Sequence, residues 1–428
     1  MTLFRLNINP DEKSVFGLHM LFSLIQGVIT GAFALNEFVF IRDLLGTNYQ
    51  MSMLFQFSAL VFLASVFVNE FLRRIQNKKK MLRWAAIITH LPLLGIALFP
   101  MEGAAYHSHA VFTYIFLAIF FAFYLNTIII LPTINQMLKN SYSHDNFGKL
   151  YSYSSLMNKV VIMFSTLGFG FLLDWNNYSF VYVYPVLAAL GIGSVFLLSR
   201  IQYSDFEPAK RTFWQASVHS LKNTFTILKT NKPYLHFEAG FMFYGFAWMV
   251  TTAVVTVYFN EVFKMNHATY GFYKNGYNLL AILLLPYFGK LIGRIDPRKF
   301  GIYTFGSLLL YVIFIGLAEY FPAYFQVGEI RFYYTLFVAY GFYGVFAATM
   351  ALLWFIGSSY FCKKEEAGQY QSIHLTLTGI RSLFSFQIGI ALYQSMGYSF
   401  TFGIAAISLF LAVMLMIYSY RRDNSIKG

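Results

Sequence analysis

The sequence predicts an all-α integral membrane protein with twelve transmembrane helices, arranged as two pseudo-symmetric six-helix bundles. Three observations predict this. The 428 residues are 58% hydrophobic and only 11% charged, with a mean hydropathy of +0.56, so there is too little polar surface for a soluble globule of this length. Apolar windows of helix length recur along the chain. A long polar, basic interruption at 200–233 divides these windows into two sets of six.

Each apolar window is about as long as the roughly 20 helical residues that cross a bilayer core. The first set lies at 15–39, 49–71, 82–99, 110–137, 150–173 and 178–198. The second set lies at 234–258, 270–291, 300–317, 332–361, 370–393 and 399–418. We therefore expect an N-terminal bundle over 1–199, a cytoplasmic linker over 200–233 and a C-terminal bundle over 234–428.

The linker carries an amphipathic pattern. Its apolar residues recur at spacings of four, three, four and three, and its basic residues fall elsewhere around the helical wheel. The apolar positions are Trp214, Val218, Leu221, Phe225 and Leu228. Such a helix is expected to lie along the headgroups of the cytoplasmic leaflet. A soluble linker helix is the alternative.

Lysine and arginine are concentrated in the connections after spans two, four, six, eight and ten and in the C-terminal tail. These residues resist translocation, so the connections that carry them and both termini are expected in the cytoplasm. This topology explains the net charge of +13 better than nucleic-acid binding does. Residues 1–14 lack the short apolar core of a cleavable signal peptide. We expect a multi-pass protein of a bacterial cytoplasmic membrane.

The connection after span eight contains a recognisable motif. Gly289, Leu291, Arg294 and the pair Arg298 and Lys299 make it resemble the cytoplasmic signature loop of the major facilitator superfamily. That loop reads Gly, any, Leu, any, Asp, Arg, any, Gly, then basic residues. With twelve spans and an amphipathic linker, the resemblance covers the whole chain and implies secondary transport by alternating access.

The sequence departs from the family motif at two places. Gly293 occupies the position of the family's Asp in the loop after span eight, and Arg73 occupies it after span two. Glu70, one turn away, is a candidate to replace that Asp. The resemblance thus gives Glu70, Arg74, Gly289 and Arg294 as candidate gating residues.

Enzymatic chemistry is not expected. The sequence has no GxxxxGK phosphate loop, no nucleophile elbow and no paired carboxylates in a candidate pocket. Its one cysteine, Cys362, excludes an internal disulfide. Glu102, His107 and His109 have metal-ligand residue types but no fixed scaffold. We therefore expect neither a metal nor a cofactor.

Two cations lie deep in equivalent spans, Lys159 in span five and Arg381 in span eleven. Ionisable groups inside a bilayer cost kilocalories per mole and usually face a cavity or a partner. In a two-repeat carrier the substrate site lies at the midplane, so two cations there would suit a carboxylate, sulfonate or phosphate. The alternative is that each cation pairs with a carboxylate or with helix carbonyls and only holds spans together.

Three further ionisable residues are candidates for proton coupling, since carboxylates and imidazoles can exchange protons between conformational states. They are Glu238 in span seven, His374 in span eleven and His19 in span one. For Glu238 the alternative is an interfacial carboxylate beside Lys232, and for His19 it is a hydrogen-bonded packing residue.

Uncharged polar and aromatic residues within the spans complete the candidate substrate site. Amides can satisfy varied ligands at modest cost, although some will bond neighbouring helices. Aromatic pairs at helical spacing can stack on a substrate, although most aromatic residues in such a chain face lipid. The candidates are Gln26, Asn126, Asn158, Asn278, Gln387, Tyr244, Trp248 and Tyr340.

The sequence favours a monomeric secondary transporter that moves a small organic anion, with protons as a candidate coupling ion and lipids as neighbours. Symport is the expected mode. One alternative is export of amphipathic compounds or lipid flipping, for which Arg381 would be dispensable. Another is a membrane receptor or assembly partner that retained the carrier fold without transporting. No nucleic-acid partner is expected.

Overall fold

The computed structural model describes residues 9–73, 75–108, 110–201, 224–292, 294–362 and 367–427. These residues form two compact units. The first unit falls within 1–36 and 67–213, and the second within 37–66 and 214–428. Most of the amphipathic stretch in the linker lies outside the described residues. The part of this stretch that the structure describes is a short helix, α10, at 224–230. The division at 199 and 233 stays a prediction.

Helices make up nearly all of the described chain. Up to the linker they are α1 (Pro10–Phe33), α2 (Asn36–Arg42), α3 (Asn48–Arg73), α4 (Lys78–His90), α5 (Gly103–Ser108), α6 (Val111–Tyr124), α7 (Asn126–Ser141), α8 (His144–Trp175) and α9 (Phe180–Leu198). After the linker they are α11 (Lys232–Glu261), α12 (His267–Ile292), α13 (Pro297–Leu317), α14 (Tyr334–Ile356) and α15 (Ala367–Lys427). Short 3-10 helices cover Leu91–Leu98 and Ser358–Phe361.

Within the described residues, nine helices are long and apolar enough to cross a membrane. One of them, Ile373–Asp423, is 51 residues long and contains two of the expected spans. Its helical backbone breaks at Gly397, where φ is 83° and ψ is 178°, a conformation that favours glycine. The nine do not include α3 and α12, which carry the second and eighth expected spans. The count of twelve stays a prediction.

Three expected spans differ from the helices that form. The span at 82–99 becomes α4 followed by a 3-10 helix from Leu91, because Pro92 lacks a backbone N–H and obstructs the preceding helical turn. The span at 110–137 is interrupted at Leu125, between α6 and α7. The span at 332–361 begins at Tyr334 instead, because the residues before it belong to a β-hairpin.

The β-hairpin was not expected from the sequence. Strands β1 (Tyr324–Val327) and β2 (Ile330–Tyr333) pair antiparallel, and Gly328 in the turn has a φ of 59°. The hairpin is bonded to the start of α12, where the Asn266 side-chain amide donates to the Glu329 carbonyl at 2.9 Å. A tight two-residue turn of this kind needs positive φ, which glycine supplies.

Each unit has its own close helix contacts. In the first, Gly31 on α1 lies against α8, and a Cβ there would stand 2.6 Å from the Ile162 carbonyl oxygen. In the second, Gly389 on α15 lies against α11, and a Cβ there would stand 2.7 Å from the Val250 carbonyl oxygen. Small residues let membrane helices approach this closely.

Candidate functional site

The first unit contains a polar cavity of about 410 Å³. Its lining comes from α1, α4, α7, α8 and α9. The polar and ionisable lining residues are His19, Ser23, Gln26, Thr30, His90, Asn126, Thr127, Tyr151, Ser155, Asn158 and Lys159. A lining this rich in amides and hydroxyls can bind a polar ligand through several hydrogen bonds.

Two amides in this cavity are held by neighbouring helices. The Gln26 amide nitrogen donates to the Ser194 hydroxyl oxygen at 3.1 Å, and the Asn158 amide nitrogen donates to the Ser23 carbonyl at 2.7 Å. Each bond engages the amide nitrogen and orients the side chain, so the amide oxygen can accept from a ligand. The structure thus brings together Gln26, Asn126, Asn158 and Lys159, four of the residues expected to bind substrate.

Lys159 is the cation of this cavity. It lies on α8 with an exposed side chain, and it makes no ion pair within the part of the chain that the structure describes. No described residue of the lining is a carboxylate. The cavity therefore presents positive charge that no protein anion compensates at its wall.

His19 is buried at one wall of the same cavity. Its Nδ1 lies 3.1 Å from the Tyr142 hydroxyl and 3.3 Å from the Ser154 hydroxyl. These contacts match the alternative of a hydrogen-bonded packing residue, and a proton-coupling role stays a prediction. His90, which sequence reasoning did not select, also lines the cavity, with Nδ1 3.0 Å from the Ala86 carbonyl oxygen.

The second unit contains a smaller cavity of about 210 Å³. Most of its wall is aromatic. The lining residues are Phe55, Trp248, Thr251, Thr252, Val255, Thr256, Phe259, Tyr270, Lys274, Tyr277, Tyr311, Tyr340 and Tyr343. Trp248 and Tyr340 were expected from the sequence. Tyr244 is not in the lining; it is buried and stacks on Phe305, with ring centroids 5.1 Å apart and planes at 9°.

Lys274 is the cation of the second cavity, and sequence reasoning missed it. Its Nζ lies 3.6 Å from Oε2 of Glu37 and 5.0 Å from the centroid of the Phe55 ring. One feature of the sequence could have indicated this site: a charged residue lies inside each of two apolar windows. Lys274 lies in the eighth window, and Glu37 lies at the end of the first. Their pairing could not be inferred from spacing.

Arg381, on α15, is 2% exposed and is not among the lining residues of either cavity. Its guanidinium donates to the Phe241 carbonyl on α11 and lies 5.7 Å from the Tyr244 ring centroid. Gly245 makes room for it, because a Cβ there would overlap the guanidinium. This contact matches the alternative in which the cation bonds helix carbonyls and holds two spans together. A substrate-binding role for Arg381 stays a prediction.

Glu238 and His374, selected separately from the sequence, form one buried pair. His374 Nδ1 lies 3.0 Å from Oε2 and 3.2 Å from Oε1 of Glu238, and both side chains are 2% exposed. The interfacial alternative for Glu238 is wrong, because a side chain that reaches the headgroups would not be enclosed in this way. The coupling role itself stays a prediction.

The remaining amide candidates bond within the second unit. The Asn278 amide nitrogen donates to the Asn275 carbonyl at 3.1 Å, and the Gln387 amide nitrogen donates to the Gln56 side-chain oxygen at 3.2 Å. Neither residue lines the second cavity. Substrate contacts for these two residues stay predictions.

The candidate gating residues are only partly described. Arg74 and the Glu70 side chain lie outside the described residues, and Gly289 and Arg294 are exposed. In the same motif, Arg298 binds Asp296 at 2.8 Å and Asp423 at 2.5 Å. A gating role for the four residues stays a prediction.

Among the described residues no group of three His, Cys, Asp or Glu side chains can hold a metal ion, and His109 is not described.

The helical architecture, the two cavities and the loop motif are typical of a membrane carrier. The sequence model of the Major Facilitator Superfamily matches residues 14–380, so the chain belongs to this family. It is a multi-pass integral membrane protein and a secondary transporter rather than an enzyme, and the expected superfamily fold is confirmed. No curated protein matches the sequence significantly.

Solved structures of transporters share the fold. The nucleoside transporter NupG superposes with a TM-score of 0.69 at 12% identity, covering 95% of this chain and 100% of that one. A POT family transporter in complex with a thioalcohol-conjugated peptide gives 0.70 at 11% identity, covering 95% and 96%. The peptide transporter POT in complex with sulfate gives 0.66 at 15% identity, covering 96% and 94%.

Proposed function

We propose that this transporter moves a small organic anion across the membrane by alternating access. One observation carries the proposal: each cavity is lined by a lysine, Lys159 in the first unit and Lys274 in the second, and by no carboxylate among its described residues. A cation in a site of low dielectric attracts an anion far more strongly than in water. A cationic substrate would meet repulsion at Lys159, whereas the charge of Lys274 is paired with Glu37.

The polar groups of the first cavity favour a substrate with several hydrogen-bonding atoms. Lysine acts as a movable point charge, so it can follow an anionic group between conformational states. Gln26, Asn126 and Asn158 supply donors and acceptors around it. Nucleoside and peptide transporters share this fold, so a nucleoside and a dipeptide should be tested beside the ligand panel given next.

Proton symport is the second part of the proposal. Glu238 and His374 form a buried pair, and such a pair changes its charge balance when it gains or loses a proton.

The basic connections on one side of the chain support cytoplasmic termini, and we place the protein in a bacterial cytoplasmic membrane as a monomer.

Ligand-induced stabilisation of the purified protein tests the anion proposal, since a ligand that binds only the folded state raises the apparent Tm. The panel contains organic anions, cations and neutral amphiphiles. We expect anions to raise the Tm, and the Lys159→Gln variant to bind them about tenfold more weakly, a loss of about 1.4 kcal/mol. Lys290→Gln, which changes an exposed lysine outside both linings, is the matched control.

Two results would overturn the proposal. Stabilisation by neutral amphiphiles alone, equal in wild type and Lys159→Gln, would indicate export of amphipathic compounds instead. The absence of substrate-dependent flux in liposomes, together with a co-purifying protein, would indicate a receptor or assembly partner.

A further inference from the structure

We infer that the cavity of the second unit is a binding site for a single-ring aromatic carboxylate, with the ring among the tyrosines and the carboxylate on Lys274. This inference rests on the proposed function, because it names the class of organic anion. Its basis is the size of the cavity, the chemistry of its wall and the state of its one lysine.

The size of the cavity limits the ligand. A cavity of about 150 Å³ lined by apolar side chains holds one benzene molecule. The second cavity has about 210 Å³, enough for one six-membered ring with a small substituent. A single ring fits this volume better than a fused two-ring compound does.

The wall favours an aromatic ring over an aliphatic one. Tyr311 and Tyr343 have ring centroids 4.7 Å apart, and Tyr277 meets Tyr343 edge to face at 4.6 Å. Tyr340 packs on Tyr311 at 5.4 Å with planes at 83°. These tilted and perpendicular arrangements present both ring faces and ring edges, which attract another aromatic ring through complementary quadrupoles.

The lysine of this cavity is incompletely satisfied. At 3.6 Å, the Lys274 ammonium and the Glu37 carboxylate are an ion pair without a hydrogen bond, and Glu37 Oε2 is buried with no hydrogen-bond partner among the described residues. The closest polar contact of Nζ is the Tyr270 hydroxyl at 3.5 Å. A substrate carboxylate at ordinary hydrogen-bond distance would make a stronger, charge-assisted contact with Lys274 than Glu37 does.

The lining excludes the other ligand classes. A cation would find the Lys274 ammonium and no carboxylate at the described wall, because Glu37 pairs with Lys274 from outside the lining. A neutral ring would fill the aromatic wall but leave the ammonium without a new partner. The combination of one cation and eight aromatic side chains in the lining therefore selects a molecule that carries both a ring and a negative charge.

The test compares four probes on the full-length protein by thermal shift and by competition in liposome uptake: benzoate, cyclohexanecarboxylate, benzyl alcohol and 2-naphthoate. We expect benzoate to bind about tenfold more tightly than each of the other three, a difference of about 1.4 kcal/mol. Equal binding of benzoate and cyclohexanecarboxylate would overturn the aromatic inference and leave the anion proposal standing. Failure of every organic anion to bind would overturn both.

Matched variants locate the site. Tyr340→Leu removes a ring of the wall and should abolish the preference for benzoate over cyclohexanecarboxylate, whereas Tyr340→Phe should keep it. Tyr303→Leu, at an exposed tyrosine outside the lining, is the control. A preference for benzoate that survives Tyr340→Leu would contradict this location. If Tyr340→Leu does not fold, Lys274→Gln tests the location instead, and we expect this variant to bind benzoate about tenfold more weakly.

Discussion

His374 on α15 and Glu238 on α11 form a hydrogen-bonded pair, with His374 Nδ1 3.0 Å from Glu238 Oε2. The imidazole is enclosed by the rings of Phe241 at 4.7 Å and Trp354 at 4.5 Å. In this enclosure a charge on either residue needs a compensating partner close by, because burial removes its solvation by water. The pair therefore joins α11 to α15 through a buried contact.

The first prediction concerns proton coupling through this pair. Glu238→Gln keeps the size and a hydrogen-bonding side chain but cannot gain or lose a proton, so it should abolish uphill substrate accumulation driven by a pH gradient. Exchange of internal for external substrate should persist, since exchange needs no net proton movement. Flux assays in liposomes measure both. Glu319→Gln, at an exposed position on the same unit, is the control, and accumulation unchanged in Glu238→Gln would contradict the coupling role.

The second prediction concerns Arg381. Because its guanidinium bonds the Phe241 carbonyl and does not line either cavity, Arg381→Ala should destabilise the protein by about 1.5–3 kcal/mol, the contribution of a hydrogen bond from a charged group. Gly245→Ala should act in the same direction, because the added methyl occupies the place of the guanidinium. Unfolding and benzoate affinity are measured together; a loss of affinity without loss of stability would indicate a substrate clamp.

The third prediction concerns a buried contact between a histidine and a carboxylate in the second unit. His267 Nε2 at the start of α12 lies 2.8 Å from Asp43 Oδ2 just after α2, and both side chains are fully buried. Removing one partner of this buried hydrogen bond costs the desolvation of the group that remains, so Asp43→Ala should cost about 1–3 kcal/mol of unfolding free energy. The double variant with His267→Ala should cost less than the sum of the two. Additive costs in this cycle would show that the residues are not coupled.

The sequence predicted the polar cavity of the first unit better than the aromatic one of the second. Gln26, Asn158 and Lys159 are conspicuous because polar side chains within apolar spans are costly and thus rare. Tyr244 and Tyr340 are two of 32 tyrosines, and nothing in their spacing distinguishes the residue packed on Phe305 from the one that lines a cavity. That distinction depends on which helices become neighbours.

Lys274 was missed for a related reason. It lies near one end of its apolar window, where a long lysine side chain ordinarily extends to the interface, and its partner Glu37 is on a distant segment. The β-hairpin was missed because aromatic residues at 324–327 and 330–333 resemble the start of the next apolar span. Composition and periodicity predict the class of fold, whereas pairing between segments requires the folded chain.

The fourth prediction uses two glycines of α1 that differ only in what surrounds them. At Gly31 an added Cβ would stand 2.6 Å from the Ile162 carbonyl oxygen of α8, whereas at Gly17 it would meet nothing within 4 Å. Because a backbone oxygen cannot move aside as a flexible side chain can, Gly31→Ala should separate α1 from α8 and cost about 1–3 kcal/mol of stability. Gly17→Ala should instead gain about 0.5–1 kcal/mol through reduced backbone entropy of the unfolded chain. Apparent Tm values of the two variants, measured in the same detergent, decide the matter. Equal apparent Tm values of the two variants would mean that the contact of α1 with α8 does not depend on a glycine at position 31.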